Sequence, residues 1–140
     1  MKKVIALKGR TNIGKTSTLK IFIDMLSEKF PPEKIEHHID GHDVRVVYTM
    51  KGIKVGIETQ GDPYSRLPNS LVLFNDLGCK IIVCACRSSG ATVEAVKSLS
   101  PTYITSFRGQ SAVSLKEWRE SSNSNMASMI LSETSEAINA

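Results

Sequence analysis

Short continuous apolar runs and helically spaced apolar sets follow one another along the chain, separated by glycine and proline. Val4 to Leu7 is an apolar run between Lys3 and Lys8, which leads into Gly9 and predicts a central parallel strand buried on both faces. Leu19, Phe22, Ile23, Leu26 and Phe30 then recur with the helical period until Pro31-Pro32 stops it. Val44 to Met50 is rich in β-branched and aromatic residues, Lys51-Gly52 reads as a tight turn, and Ile53, Val55 and Ile57 alternate with Lys54 and Gly56. This predicts a β-hairpin whose second strand ends at Glu58. An earlier short strand is expected over residues 35–39, closed by Asp40-Gly41.

Farther along, residues 71–77 read as a helix stopped by Gly78, and residues 80–86 as a second buried strand. Val93, Val96 and Leu99 suggest a short helix ending before Pro101, and residues 103–107 a last strand. From Gly109 onward Ser and Asn thin the apolar pattern, and Met126, Met129, Ile130 and Ile138 mark only a weak C-terminal helix. The alternation predicts an α/β protein with three layers, helix, sheet and helix, around a mainly parallel sheet. A ligand-binding core is expected over residues 1–110, with 111–140 a helical extension of the same domain. Ligands of such sheets bind at the carboxyl ends of the strands, where the Gly9 loop, Glu58 and Arg87 all fall.

At 140 residues the chain suits one domain. No apolar run approaches the roughly 20 residues that span a bilayer, and the N-terminal apolar stretch ends at Lys8 without a cleavage site, so a cytoplasmic protein is expected, without membrane contact. The three cysteines, Cys79, Cys84 and Cys86, are an odd count that fits buried reduced thiols. Residues 1–110 carry sixteen of the eighteen Lys and Arg against ten acids, whereas 111–140 carry two against four. A modest positive surplus suits a polyphosphate ligand, but it forms no basic stripe interleaved with aromatics, so a nucleic-acid partner is not indicated.

The segment Gly9-Arg10-Thr11-Asn12-Ile13-Gly14-Lys15-Thr16 has the form G-x-x-x-x-G-K-[ST], followed by Ser17. Each fixed position has a chemical reason. The glycines let successive N–H groups turn inward around a phosphate, and the helix that follows points its positive end at the same anion. Lys15 is expected to reach the β- and γ-phosphates, and the Thr16 hydroxyl to ligate Mg²⁺. Through this motif the chain resembles the P-loop NTPase superfamily, specifically over residues 3–30 and more loosely to about 108.

That resemblance implies a second carboxylate at a neighbouring strand end to hold the Mg²⁺ shell. Glu58-Thr59-Gln60-Gly61-Asp62 looks like the D-x-x-G-D element of the branch that holds the nitrogenase iron protein and the cell-division ATPases, with Glu replacing the first Asp. The longer side chain leaves open whether Glu58 acts directly, through water, or cedes the role to Asp62; the Gly61 amide is expected to sense a γ-phosphate. Arg66 and Arg87, in loops after strand ends, are candidates for phosphate contact. No N-K-x-D element for guanine is present, which favours ATP over GTP.

His37, His38, Asp40, His42 and Asp43 are dense enough to suggest a metal site. Adjacent histidines on a regular strand point to opposite faces, so a solvated turn is expected instead. The functional expectation is Mg²⁺-dependent hydrolysis of a nucleoside triphosphate or kinase-like phosphoryl transfer to a small acceptor. The alternative is a nucleotide switch read by a partner protein.

Overall fold

The computed structural model describes residues 2–10, 13–110 and 116–140. Its elements run β1 (Lys2–Lys8), α1 (Lys15–Lys29), β2 (Lys34–Ile39), β3 (Arg45–Met50), β4 (Ile53–Glu58), α2 (Leu67–Asp76), β5 (Ile81–Cys86), α3 (Ala91–Lys97), β6 (Tyr103–Gly109) and α4 (Lys116–Asn139). The six strands form one sheet in the order β2-β3-β4-β5-β1-β6.

The mainly parallel, three-layer P-loop NTPase sheet expected from the sequence is not what forms. Strands β4, β5, β1 and β6 pair in parallel, but β2–β3 and β3–β4 are antiparallel, so the sheet is mixed. Connection length is the cause. Lys51 and Gly52 both have positive φ, 49° and 73°, as the two-residue turn of a tight hairpin requires, and so short a link joins only antiparallel neighbours. The helical cover is also incomplete. Edge strand β2 is exposed along nearly its whole length, so none of the described helices covers it.

Where helices do cover the sheet, strand alternation sorts the core. Ile5, Leu7, Ile57 and Val83 face α1 and α4, joining Leu19, Phe22, Leu26, Ala127 and Ile130. Val4, Ala6, Ile82 and Cys84 face the other way, onto Leu67, Leu71 and Phe74 of α2 and Val93 and Val96 of α3. The central strands are therefore apolar on both faces, as the runs at 4–7 and 80–86 predict.

Helix α2 begins at Leu67, four residues before its apolar period becomes visible, because Pro68 lies in its first turn, where a missing N–H breaks no helical bond. Gly78, at φ 73°, ends it, with the Cys79 amide returning to the Phe74 carbonyl at 3.0 Å. Helix α4 is the larger surprise. It spans 24 residues and buries Ala127, Ile130, Thr134, Ser135 and Ile138. This stripe uses alanine and hydroxyl side chains where an amphipathic reading looks for large apolar ones. No helix among the described residues is long and apolar enough to cross a membrane.

Candidate functional site

The loop between β1 and α1 is built by close approach. A Cβ on Gly9 would lie 2.2 Å from Ile13 Cδ1 and 2.9 Å from the Gln110 carbonyl oxygen, so no larger residue fits. Gly14 has φ 97°, a left-handed conformation that glycine adopts without strain, and it starts α1. Of the loop residues singled out in the sequence, Arg10 and Ser17 are exposed, Ile13 and Thr16 are half-buried, and Thr11 and Asn12 lie outside the described residues.

Lys15 is 7% exposed. Its ammonium donates to the carbonyl of Gly9 and to that of Cys86, the latter at 2.8 Å. The lysine thus crosses from the loop to the carboxyl end of β5. Burial pulls its pKa below the usual lysine value, while Asp62 and Cys86 oppose the shift and Arg87 adds to it. Lys15, Asp62 and Arg87 therefore share one electrostatic neighbourhood, and Arg87 Nε reaches Asp62 Oδ1 at 3.2 Å. The ends of β1, β4 and β5 converge here.

Glu58 and Arg66 are brought together, but on each other. Glu58 is fully buried. Its carboxylate accepts Arg66 Nε at 2.7 Å and Nη2 at 3.1 Å, the Ser70 hydroxyl at 2.7 Å and the Gln60 amide at 3.0 Å. The Gln60 side chain in turn accepts the Arg66 amide at 3.0 Å. Four donors saturate the carboxylate and close the base of the 59–66 loop onto α2. Gly61 packs against β5 so closely that a Cβ would lie 2.5 Å from the Ala85 carbonyl.

The carboxylate that meets Thr16 is Asp43, which stands among the histidines in the sequence. Asp43 Oδ1 accepts the Thr16 hydroxyl at 3.1 Å and the Thr59 hydroxyl at 3.0 Å. Thr59 also accepts the Val44 amide at 2.9 Å and donates its own amide to the Val44 carbonyl at 2.9 Å. The hairpin brings this about. Its register pairs Arg45 with Glu58, so the residues just before β3 lie beside the carboxyl end of β4. Counting back from the Lys51-Gly52 turn was the signal that could have found Asp43.

The histidines His37, His38 and His42 are exposed, and a register shift between Glu36 and Ile39 with φ 52° at His37 makes β2 irregular there. Among the described residues no group of three or more His, Cys, Asp or Glu side chains is arranged to hold a metal ion. Cys79, Cys84 and Cys86 are free and buried; burial pushes the Cys79 and Cys86 thiols up to about 11, so they are protonated at neutral pH. No family model matches the chain, and no curated protein or solved structure matches it.

Proposed function

We propose that the chain binds a nucleoside triphosphate, ATP in preference to GTP, together with Mg²⁺ at the 9–16 loop, and catalyses hydrolysis of the γ-phosphoryl group or its transfer to a small acceptor. The observation that carries this reading is Lys15. Its buried ammonium sits across the start of α1 on two neutral carbonyls, Gly9 and Cys86, which phosphate oxygens can replace with a gain in charge-assisted bonding. The amino end of α1 faces the same region and favours an anion there.

Thr16 and Asp43 are the residues that would hold Mg²⁺, since a hydroxyl and a carboxylate already meet at 3.1 Å and suit a hard cation. The ion, when bound, neutralises charge on the phosphate oxygens. Arg87, beside Lys15 and bonded to Asp62, is the arginine we assign to charge developing on the γ-phosphoryl group. Asp62 then accepts the proton of the attacking water or acceptor hydroxyl. Arg66 has a different part, holding the loop base through Glu58.

One observation favours the switch reading. Tyr64, at the tip of the clamped 59–66 loop, is wholly exposed and has φ 59°, an uncommon conformation for tyrosine. An exposed aromatic two residues from Asp62 suits a partner that reads this loop.

Calorimetric titration of Lys15→Ala with MgATP tests the proposal. Affinity is expected to fall more than about tenfold, the loss of a charge-assisted contact to phosphate. In the wild type, affinity is expected to fall as pH rises through the lowered Lys15 pKa, before the ordinary lysine range, because only the ammonium attracts phosphate. Wild-type affinity in the variant refutes the assignment. With labelled ATP and a panel of metabolites, a new phosphorylated product identifies a kinase, free phosphate alone a hydrolase, and very slow turnover a switch.

A further inference from the structure

Gln110 follows the last residue of β6 and is 7% exposed. Its backbone amide extends the β1–β6 ladder by donating to the Lys8 carbonyl at 2.8 Å. Its side chain reaches three elements at once. Nε2 donates to the Ile13 carbonyl at 3.1 Å and to Asn123 Oδ1 at 2.8 Å, while Oε1 accepts the Thr18 hydroxyl at 3.0 Å. The orientation of the amide follows from chemistry, since a backbone carbonyl can only accept. Both amide hydrogens are therefore taken, one by the phosphate loop and one by α4.

The bond to Ile13 has a directional consequence. The carbonyl of residue 13 and the N–H of residue 14 belong to one planar trans peptide and point in opposite directions. Holding the carbonyl toward Gln110 aims the Gly14 N–H the other way. An anion-binding loop works only if its N–H groups converge, so this peptide is one whose rotation matters. Helix α4 is tied to the same peptide. A Cβ on Gly14 would lie 2.9 Å from Asn123 Oδ1 and 3.3 Å from Gln110 Nε2, so the two amides stand directly against the loop glycine.

We propose that Gln110 is a positioning residue for the phosphate loop. It aims the Gly14 amide, and its bond to Asn123 makes that aim depend on the docking of α4. The consequence for ligand binding rests on the nucleotide reading above; the consequence for the peptide does not.

Gln110→Met keeps the length and volume of the side chain and removes all three bonds. Residual dipolar couplings of the ligand-free protein report the orientation of the Gly14 N–H directly. The coupling is expected to change in Gln110→Met and, by a smaller amount, in Asn123→Ala, while couplings in β5 stay as they are. Calorimetry with pyrophosphate is expected to show about a tenfold loss for Gln110→Met, the equivalent of one hydrogen bond misdirected. Asn123→Ala should cost less, and nothing further in the Gln110→Met background, because its effect passes through Gln110. An unchanged Gly14 coupling in Gln110→Met overturns the proposal whether or not nucleotide binds. Additive losses in the double variant overturn the dependence on α4. Failure of the wild type to bind pyrophosphate or MgATP, with the coupling changed as expected, refutes the nucleotide reading and leaves the positioning of the peptide standing.

Discussion

Replacing Glu58 with glutamine separates a clamp from a metal ligand. The carboxylate accepts four hydrogen bonds, two of them from Arg66. A glutamine has one acceptor oxygen and one NH₂. If the NH₂ takes the place of Oε2, it meets Arg66 Nη2 and the Gln60 amide, neither of which can accept. If it takes the place of Oε1, the Ser70 hydroxyl can turn to accept, but Arg66 Nε still faces a donor. The second arrangement is the less costly, and it loses the ion pair and one strong hydrogen bond. Breaking a buried pair costs about 3–5 kcal/mol. Arg66 is 25% exposed and can reach water, which moves the expected loss to about 2–3 kcal/mol. At roughly 3 °C per kcal/mol for a chain of this size, the melting temperature should drop by about 6–9 °C. Thermal and urea unfolding of the ligand-free protein, followed by far-UV circular dichroism, measure this directly. Asp43→Asn is the companion variant, expected to unfold within about 1 kcal/mol of the wild type, as for loss of ordinary hydrogen bonds, but to lose Mg²⁺ dependence of nucleotide binding. A Glu58→Gln protein that melts like the wild type refutes the clamp. If, well below its melting temperature, it loses Mg²⁺ dependence while Asp43→Asn keeps it, the two carboxylates must exchange roles.

Glu133 on α4 pairs with Lys3 at 2.7 Å and Arg108 at 2.9 Å; burial pushes its pKa up, but hydrogen bonds from Lys3, Ser106 and Arg108 outweigh this and hold it below the usual glutamate value. A depressed folded-state pKa means stability that is present above the unfolded value, about 4.3, and is lost as pH falls through the folded one. Glu133→Gln should therefore be less stable at neutral pH and flatten this part of the acid-unfolding profile; equal slopes between about pH 5 and 2 in urea midpoints would remove Glu133 from the explanation. Among the described residues Arg45, directly opposite Glu58 on β3, has a buried Nε without a hydrogen-bond partner, while Glu58 is held by Arg66. Arg45→Met should raise stability by up to about 1–2 kcal/mol by removing that unsatisfied donor, and a lower urea midpoint would disprove it.

The parts of this protein legible in its sequence are those whose causes lie within a few residues. The apolar run of β1, the helical period of α1, the Lys51-Gly52 turn and the spacing of Gly9, Gly14 and Lys15 all report local backbone geometry, which is set by steric limits and neighbouring side chains. The hairpin was legible too, and its two-residue turn makes β3 and β4 antiparallel, so the sheet is mixed where the strand–helix alternation predicts a mainly parallel one. Tertiary structure decided what distance along the chain conceals. Asp43 meets Thr16 across 27 residues, and Gln110 meets Ile13 across 97. Helix α4 looked weak because Ala127, Thr134 and Ser135 are not strongly apolar; packed against α1, small side chains and a hydroxyl bonded to its own helix bury as well as large ones, as Thr134 does through the Ile130 carbonyl at 2.8 Å. The sequence marked Glu58 as an acid at a strand end, but not what it would bond. A carboxylate's role depends on which donors reach it first, and Arg66 and Ser70 reach it only once α2 has packed against β4.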